Sequence, residues 1–109
     1  MGFHRSSTGI KVKDKHLLTA YCQRPSGETR YSELDLDQFL GAKKGQFSWG
    51  DRDFSKSSRD VVFKLDGRDN EPMLHAQLDD GSGNIQESQV NLAHCIKNDD
   101  GHLSFMECF

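Results

Sequence analysis

The chain has 109 residues, 34% hydrophobic and 28% charged, with ten glycines and a net charge of −3. That length supports one domain, 1–109, since halves of it would be too small to bury an adequate core alone. Residues 1–54 carry nine basic and seven acidic side chains and residues 55–109 five and ten; an acidic chain with no basic stripe and no long apolar run argues against nucleic-acid binding and membrane insertion.

The start, Met1-Gly2-Phe3-His4-Arg5-Ser6-Ser7, lacks an apolar run of signal-peptide length. A cytoplasmic protein is therefore expected, with non-classical secretion left open. Phe3 to Lys13 aligns with Phe54 to Lys64 at a spacing of 51 residues, and from Leu17 onward the spacing becomes 56. The five added residues fall within Asp66–Pro72, whose Gly, Asn, Asp and Pro content predicts an enlarged hairpin turn. Lys13-Asp14-Lys15 makes the same turn in the first copy.

Leu17–Cys22 and Met73–Leu78 share a Leu-x-Ala-x-apolar alternation, predicting strands with one buried face. Turns follow at Arg24–Gly27 and Asp80–Gly83, then strands at Thr29–Leu36 and Ile85–Leu92. Each copy continues through a short helical turn and a polar turn closed by glycine into a last apolar strand, ending at Trp49 and Phe105. Residues 17–49 and 73–105 share eight identities in 33 positions, among them Leu18/Leu74, Ala20/Ala76, Leu36/Leu92 and Gly45/Gly101. A half that cannot bury its apolar face must dock on its sibling. The expected fold is all-β: two pseudo-symmetric tandem repeats, about 1–53 and 54–109, each a three-stranded antiparallel sheet plus a β-hairpin, with short helical turns.

Cys22 and Cys95 occupy the places of Leu78 and Phe39, so both read as buried apolar thiols, and Cys108 reads as free. The five histidines show no metal-ligand spacing. Asp35 and Asp37, on one strand face with twins Asn91 and Ala93, read as solvated, and no catalytic site is predicted. Asn98-x-Asp100-Gly101 with Glu107 has the phase of a calcium loop, but Ile96 stands at its first ligand and no helices flank it. No metal or other cofactor is expected. Aromatic residues read as core, with Trp49 and Phe54 able to border a pocket.

The doubled motifs Phe-x-x-Ser-Ser, Leu-x-Ala-x-Cys, Ser-x-Leu-Asp-Leu-Asp-x-Phe-Leu-Gly and Gly-x-Phe-x-Trp, with Asn-Asp-Asp-Gly near the end, resemble the cyanovirin-N homology family of lectins. The resemblance implies an elongated molecule with strands exchanged between repeats. It also implies pockets at opposite ends for mannose-rich glycans, α1,2-linked mannose in particular, carried on oligosaccharides or glycoproteins. Carried over by position, the terminal pocket would use Gly2, Arg5, Ser6, Gln23, Arg24, Pro25, Asn98, Asp99 and Asp100. The central pocket would use Ala42, Lys43, Lys44, Arg52, Asp53, Lys56, Ser57, Asp79, Asp80, Gly81 and Gly83. Ala42 and Lys44 stand where the family has Asn and Asp, which predicts a weakened central site. Ser7 opposite Cys22 and Ser58 opposite Leu78 exclude the family's two disulfides, so none is expected, which fits a reducing compartment. The alternative is a protein-interaction or structural domain that has lost sugar binding. A monomer is expected, and a hinge at Gly50–Asp53 would permit a swapped dimer.

Overall fold

A computed structural model of the chain describes residues 3–107. Gly2 and Cys108, both named above, lie outside the described residues.

The strands form two three-stranded antiparallel sheets and two two-stranded hairpins. The first sheet comprises β1 (Ser7–Lys13), β2 (Leu17–Gln23) and β3 (Thr29–Asp35). The second comprises β6 (Ser58–Asp66), β7 (Glu71–Asp79) and β8 (Ile85–Asn91). The hairpins are β4 (Leu40–Lys43) with β5 (Gln46–Trp49), and β9 (Ile96–Asp99) with β10 (His102–Phe105). Four single 3₁₀ turns complete the chain: η1 (Phe3–Ser6), η2 (Leu36–Gln38), η3 (Phe54–Ser57) and η4 (Leu92–His94). The molecule is elongated, 50 × 25 × 24 Å.

The repeat is structural as well as sequential. Fully buried residues come in twins: Phe3 and Phe54, Leu18 and Leu74, Cys22 and Leu78, Leu36 and Leu92, Leu40 and Ile96. Each sheet carries a bulge at the same place in its first strand, where Gly9 (φ +60°) and Asp60 (φ +51°) take left-handed backbone. A bulge inserts an unpaired residue and increases local twist, which wraps each sheet over its core. The expected one-faced burial holds along β7, whereas in β2 Thr19 is buried between Leu18 and Ala20.

The exchange between repeats is made by the hairpins. β4–β5 packs on β8 of the second sheet, and β9–β10 packs on β3 of the first. Two equivalent hydrogen bonds fix this docking: Phe47 N donates to Ser88 Oγ at 3.3 Å, and Leu103 N donates to Ser32 Oγ at 3.0 Å. Each serine satisfies a backbone N–H that a hairpin edge would otherwise leave unpaired. Twin residues Trp49 and Phe105 stack on each other with centroids 5.9 Å apart, and Phe39 stacks on Phe105 at 4.6 Å.

Four expectations need correcting. The insertion does more than enlarge a turn: Leu65 pairs with Pro72 and Asp66 with Glu71, so it lengthens β6 and β7 around a tip at 67–70, and Pro72 is fully buried. Asp35 and Asp37 are not solvated strand residues. Asp35 caps η2, accepting from Asp37 N at 3.0 Å, and the half-buried Asp37 carboxylate accepts from Ser55 N at 3.0 Å and from the Ser55 hydroxyl. Strand alternation ends one residue before Leu36, and a short carboxylate at that point competes for free N–H groups. Phe54 is wholly buried in the core, with no side-chain surface left at which to border a site.

The fourth correction concerns the cysteines. Ser7 pairs with Cys22 and Ser58 with Leu78 in the strand register, so bridges at those positions are absent, as expected. Cys22 is a buried free thiol that accepts from Ser7 Oγ at 3.4 Å. Cys95, however, is disulfide-bonded, not an apolar thiol. A buried position that accepts Phe39 in its twin looks apolar whether or not its sulfur is bonded. Cysteine usage therefore lends no support to a reducing compartment.

Candidate carbohydrate site

Hairpins β4–β5 and β9–β10 turn through two-residue loops, Lys44-Gly45 and Asp100-Gly101. All four residues have positive φ, from +50° to +89°. This backbone matches the right-handed twist of the flanking strands, and Asp-Gly is among the sequences that favour it. The polar stretch read as one tight turn is therefore divided: Asn98 and Asp99 belong to β9, and only Asp100 and Gly101 make the loop.

Gly101 is needed for closeness as well as for φ. A Cβ there would meet Arg24 Cγ at 2.9 Å and Arg30 Cβ at 3.2 Å, so both arginine stems lie against the loop backbone. Arg24 then reaches Asp100: its Nε donates to Oδ1 at 3.2 Å and its Nη2 to Oδ2 at 3.4 Å. This fork-to-carboxylate geometry fixes both planes. Asp100 pushes the high pKa of Arg24 higher still, first by hydrogen bonding and then by charge.

Asn98 joins the segments. Its Nδ2 donates to Ser6 Oγ at 2.9 Å and to Gln23 O at 2.9 Å, and its Oδ1 accepts from Gly101 N at 2.8 Å. The amide is committed to protein partners, so it holds the start, the β2 end and the last hairpin together. A shallow depression of about 400 Å³ results, lined by Ser6, Gln23, Arg24, Pro25, Asn98 and Asp100. Six of the nine residues assigned to a terminal pocket by resemblance thus meet in one place. Asp99 alternates away from Asn98 and is exposed. Arg5 points elsewhere, with its guanidinium 3.6 Å from Asp69 on the lengthened β6–β7 hairpin. The first copy lacks the added residues, so its pattern could not show that partner.

The opposite end is built from the same backbone with different chemistry. Gly45 lies against Asp80 and Gln86, the twins of Arg24 and Arg30. The acid and base have changed places: Lys44 stands for Asp100, and Asp80 for Arg24. Asp80 is tied to its own loop, where its Oδ1 accepts from Ser82 Oγ at 2.7 Å, Ser82 N at 2.8 Å and Asn84 N at 3.2 Å. The Ser82 hydroxyl, then its N–H, hold the Asp80 carboxyl below its usual pKa. Asp79 likewise accepts from Gly81 N at 2.8 Å, and Gly81 and Gly83 are exposed with positive φ. Ala42 is half-buried in β4, while Lys43, Lys44, Arg52, Asp53, Lys56 and Ser57 are exposed. Asp53 lies 3.8 Å from Lys56.

The histidines are not uniformly satisfied. His16 meets Asp35 at 2.8 Å and Asp37 at 3.8 Å, a trio whose ligand atoms lie within 4.8 Å of one another. Its carboxylates already accept the cap and hinge N–H groups, which accounts for the cluster without an ion. Both ring nitrogens of His4 and Nε2 of His75 are buried with no hydrogen-bond partner.

Against this geometry, the family profile described as CVNH domain matches residues 3–104. The chain belongs to the cyanovirin-N homology family. A cyanovirin-N homolog of Neurospora crassa is 32% identical over 107 residues, covering 94% of this chain and 96% of that protein. The solution structure of the Gibberella zeae family member superposes with a TM-score of 0.92 at 41% identity, covering 96% of this chain and 97% of that one. A complex of microvirin with mannobiose superposes with a TM-score of 0.84 at 25% identity, covering 95% and 97%. The chain therefore carries the lectin fold of the cyanovirin-N homology family, a family of lectins and not of enzymes. Among the described residues no helix is long and apolar enough to cross a membrane.

Proposed function

We propose that this protein is a lectin for mannose-rich glycans, binding α1,2-linked mannose in the depression at Ser6, Gln23, Arg24, Pro25, Asn98 and Asp100 and acting without metal or catalysis. The observation that carries this reading is the convergence of three distant segments on one polar concavity. Each hexose hydroxyl both donates and accepts, so recognition needs fixed groups of both kinds. Asp100 offers acceptors, Arg24 donors, and the Gln23 side chain offers both. The Arg24–Asp100 pair holds these groups before the sugar arrives, which lowers the ordering cost of binding. Asn98 acts as the post of the site, since its amide is already used.

The mannobiose complex of a structural neighbour supports the choice of sugar. The exchanged acid and base at the central turn favour one working site over two. An ¹⁵N-HSQC titration with α1,2-mannobiose tests the proposal. Shifts are expected at Ser6, Gln23, Arg24 and Asn98–Gly101, with Lys43–Gln46 unmoved. A spectrum unchanged at millimolar sugar would remove the reading and favour a scaffold that has lost sugar binding, with protein partners sought by pull-down.

A further inference from the structure

Outside the terminal depression the molecule has a second concavity, of about 410 Å³, where η1 faces the end of β8 and η4. His4, Arg5, Trp49, Glu71, Gln89 and Ala93 are among the residues that line it. Its distinguishing feature is His4, whose two ring nitrogens are buried and find no hydrogen bond. Buried polar atoms are nearly always paired, and leaving one unpaired costs about 1–3 kcal/mol, so two on one ring need an account.

The repeat supplies it. The twin of His4 is Ser55, which η2 clasps through Asp37. The twin of Asp37 in η4 is Ala93, a methyl group where the other half has a carboxylate. With Ala93 in place of the acceptor, the imidazole lies at the wall of the groove with its buried nitrogens unpaired.

We propose that this groove is a second saccharide subsite, independent of the terminal depression, that takes one neutral hexose residue. Burial, and then the charge on Arg5, lower the His4 pKa from 6.5, against smaller upward pulls from Glu71 and Asp69. The ring is thus neutral near pH 7, with one N–H donor and one acceptor nitrogen. The two nitrogens diverge, so a hexose hydroxyl in the groove pairs one of them, as donor or acceptor, whereas an anion would need an imidazolium and would face Glu71. Trp49 is half-buried, stacked on Phe105, and turns an apolar aromatic surface toward the groove, as sugar C–H faces require. Glu71 and Gln89 complete a rim of acceptors and donors.

The test follows the His4 imidazole and Trp49 indole N–H signals by NMR, in an Asp100→Ala background that disables the terminal site. The probes are methyl α-D-mannopyranoside, methyl α-D-glucopyranoside and N-acetylglucosamine. At least one should shift both signals saturably. Adding Ala93→Asp, which restores the clasp found in the other half, should raise the apparent Kd at least about tenfold while amide dispersion stays native. His4→Phe should abolish the indole shift and serves as the second variant. Silence with all three sugars, or a binding curve unchanged by Ala93→Asp, would overturn the proposal. The mannobiose shifts at Asn98–Gly101 in the otherwise unchanged protein report separately on the terminal site.

Discussion

Arg24 and Asp100 at one end, and Asp80 and Lys44 at the other, show how two residues separate the chemistry of two otherwise equivalent turns. Reversing Lys44 alone would place a second carboxylate beside Asp80, in a turn whose twin relies on an Arg–Asp fork. Lys44→Asp is therefore expected to leave the central turn silent to α1,2-mannobiose. The triple change Ala42→Asn, Lys44→Asp, Asp80→Arg should create new shifts at residues 42–46 in an HSQC titration. Shifts there with Lys44→Asp alone would show that the arginine is dispensable. Lys44 is exposed, so Lys44→Asp should move the melting temperature by little, whereas the triple change also removes the carboxylate that accepts from Ser82 and Asn84 and should lower it.

The hairpin is the element on which both fold and site depend. Leu103 N donates to the buried Ser32, whereas Phe47 N donates to a less buried Ser88. Ser32→Ala should destabilise the protein by about 1–3 kcal/mol by leaving an amide unpaired in the core, and Ser88→Ala by less, since water can reach its partner. Denaturant unfolding of the two variants measures the difference; equal effects would mean that the twin bonds are equivalent despite their burial. Ser32 and Ser88 were visible in the sequence as identical twins, but nothing in the alternation of β3 and β8 showed that they reach across to the exchanged hairpins. Paired apolar positions such as Leu36/Leu92 made the elements legible, because a shared core constrains both copies. Residues that hold the copies apart were harder to read. Asp37 holds Ser55 beyond the turn at Gly50–Asp53, and its twin Ala93 has no carboxylate with which to hold His4, the twin of Ser55. Asn98 looked like a turn donor because strand residues beside a loop share its polarity. Arg5 met the lengthened hairpin, which has no counterpart from which to predict it.

At the scale of the molecule, duplication produced two hairpin turns of the same backbone, and divergence of their side chains made them unequal. Six residues gathered from the start, the β2 end and the last hairpin form a polar depression, while beside the twin turn Asp80 is engaged with its own loop. The lectin reading requires this asymmetry to appear in stoichiometry. Removing Asp100 should cost the charged hydrogen bonds that only the terminal turn offers, about 1.5–3 kcal/mol, or roughly 10- to 100-fold in affinity. The most direct measurement is isothermal titration of the protein and of Asp100→Ala with α1,2-mannobiose. One dominant site per chain, weakened at least about tenfold by Asp100→Ala while the melting temperature is held, is the predicted result; two equivalent sites, or affinity unchanged in Asp100→Ala, would contradict the account.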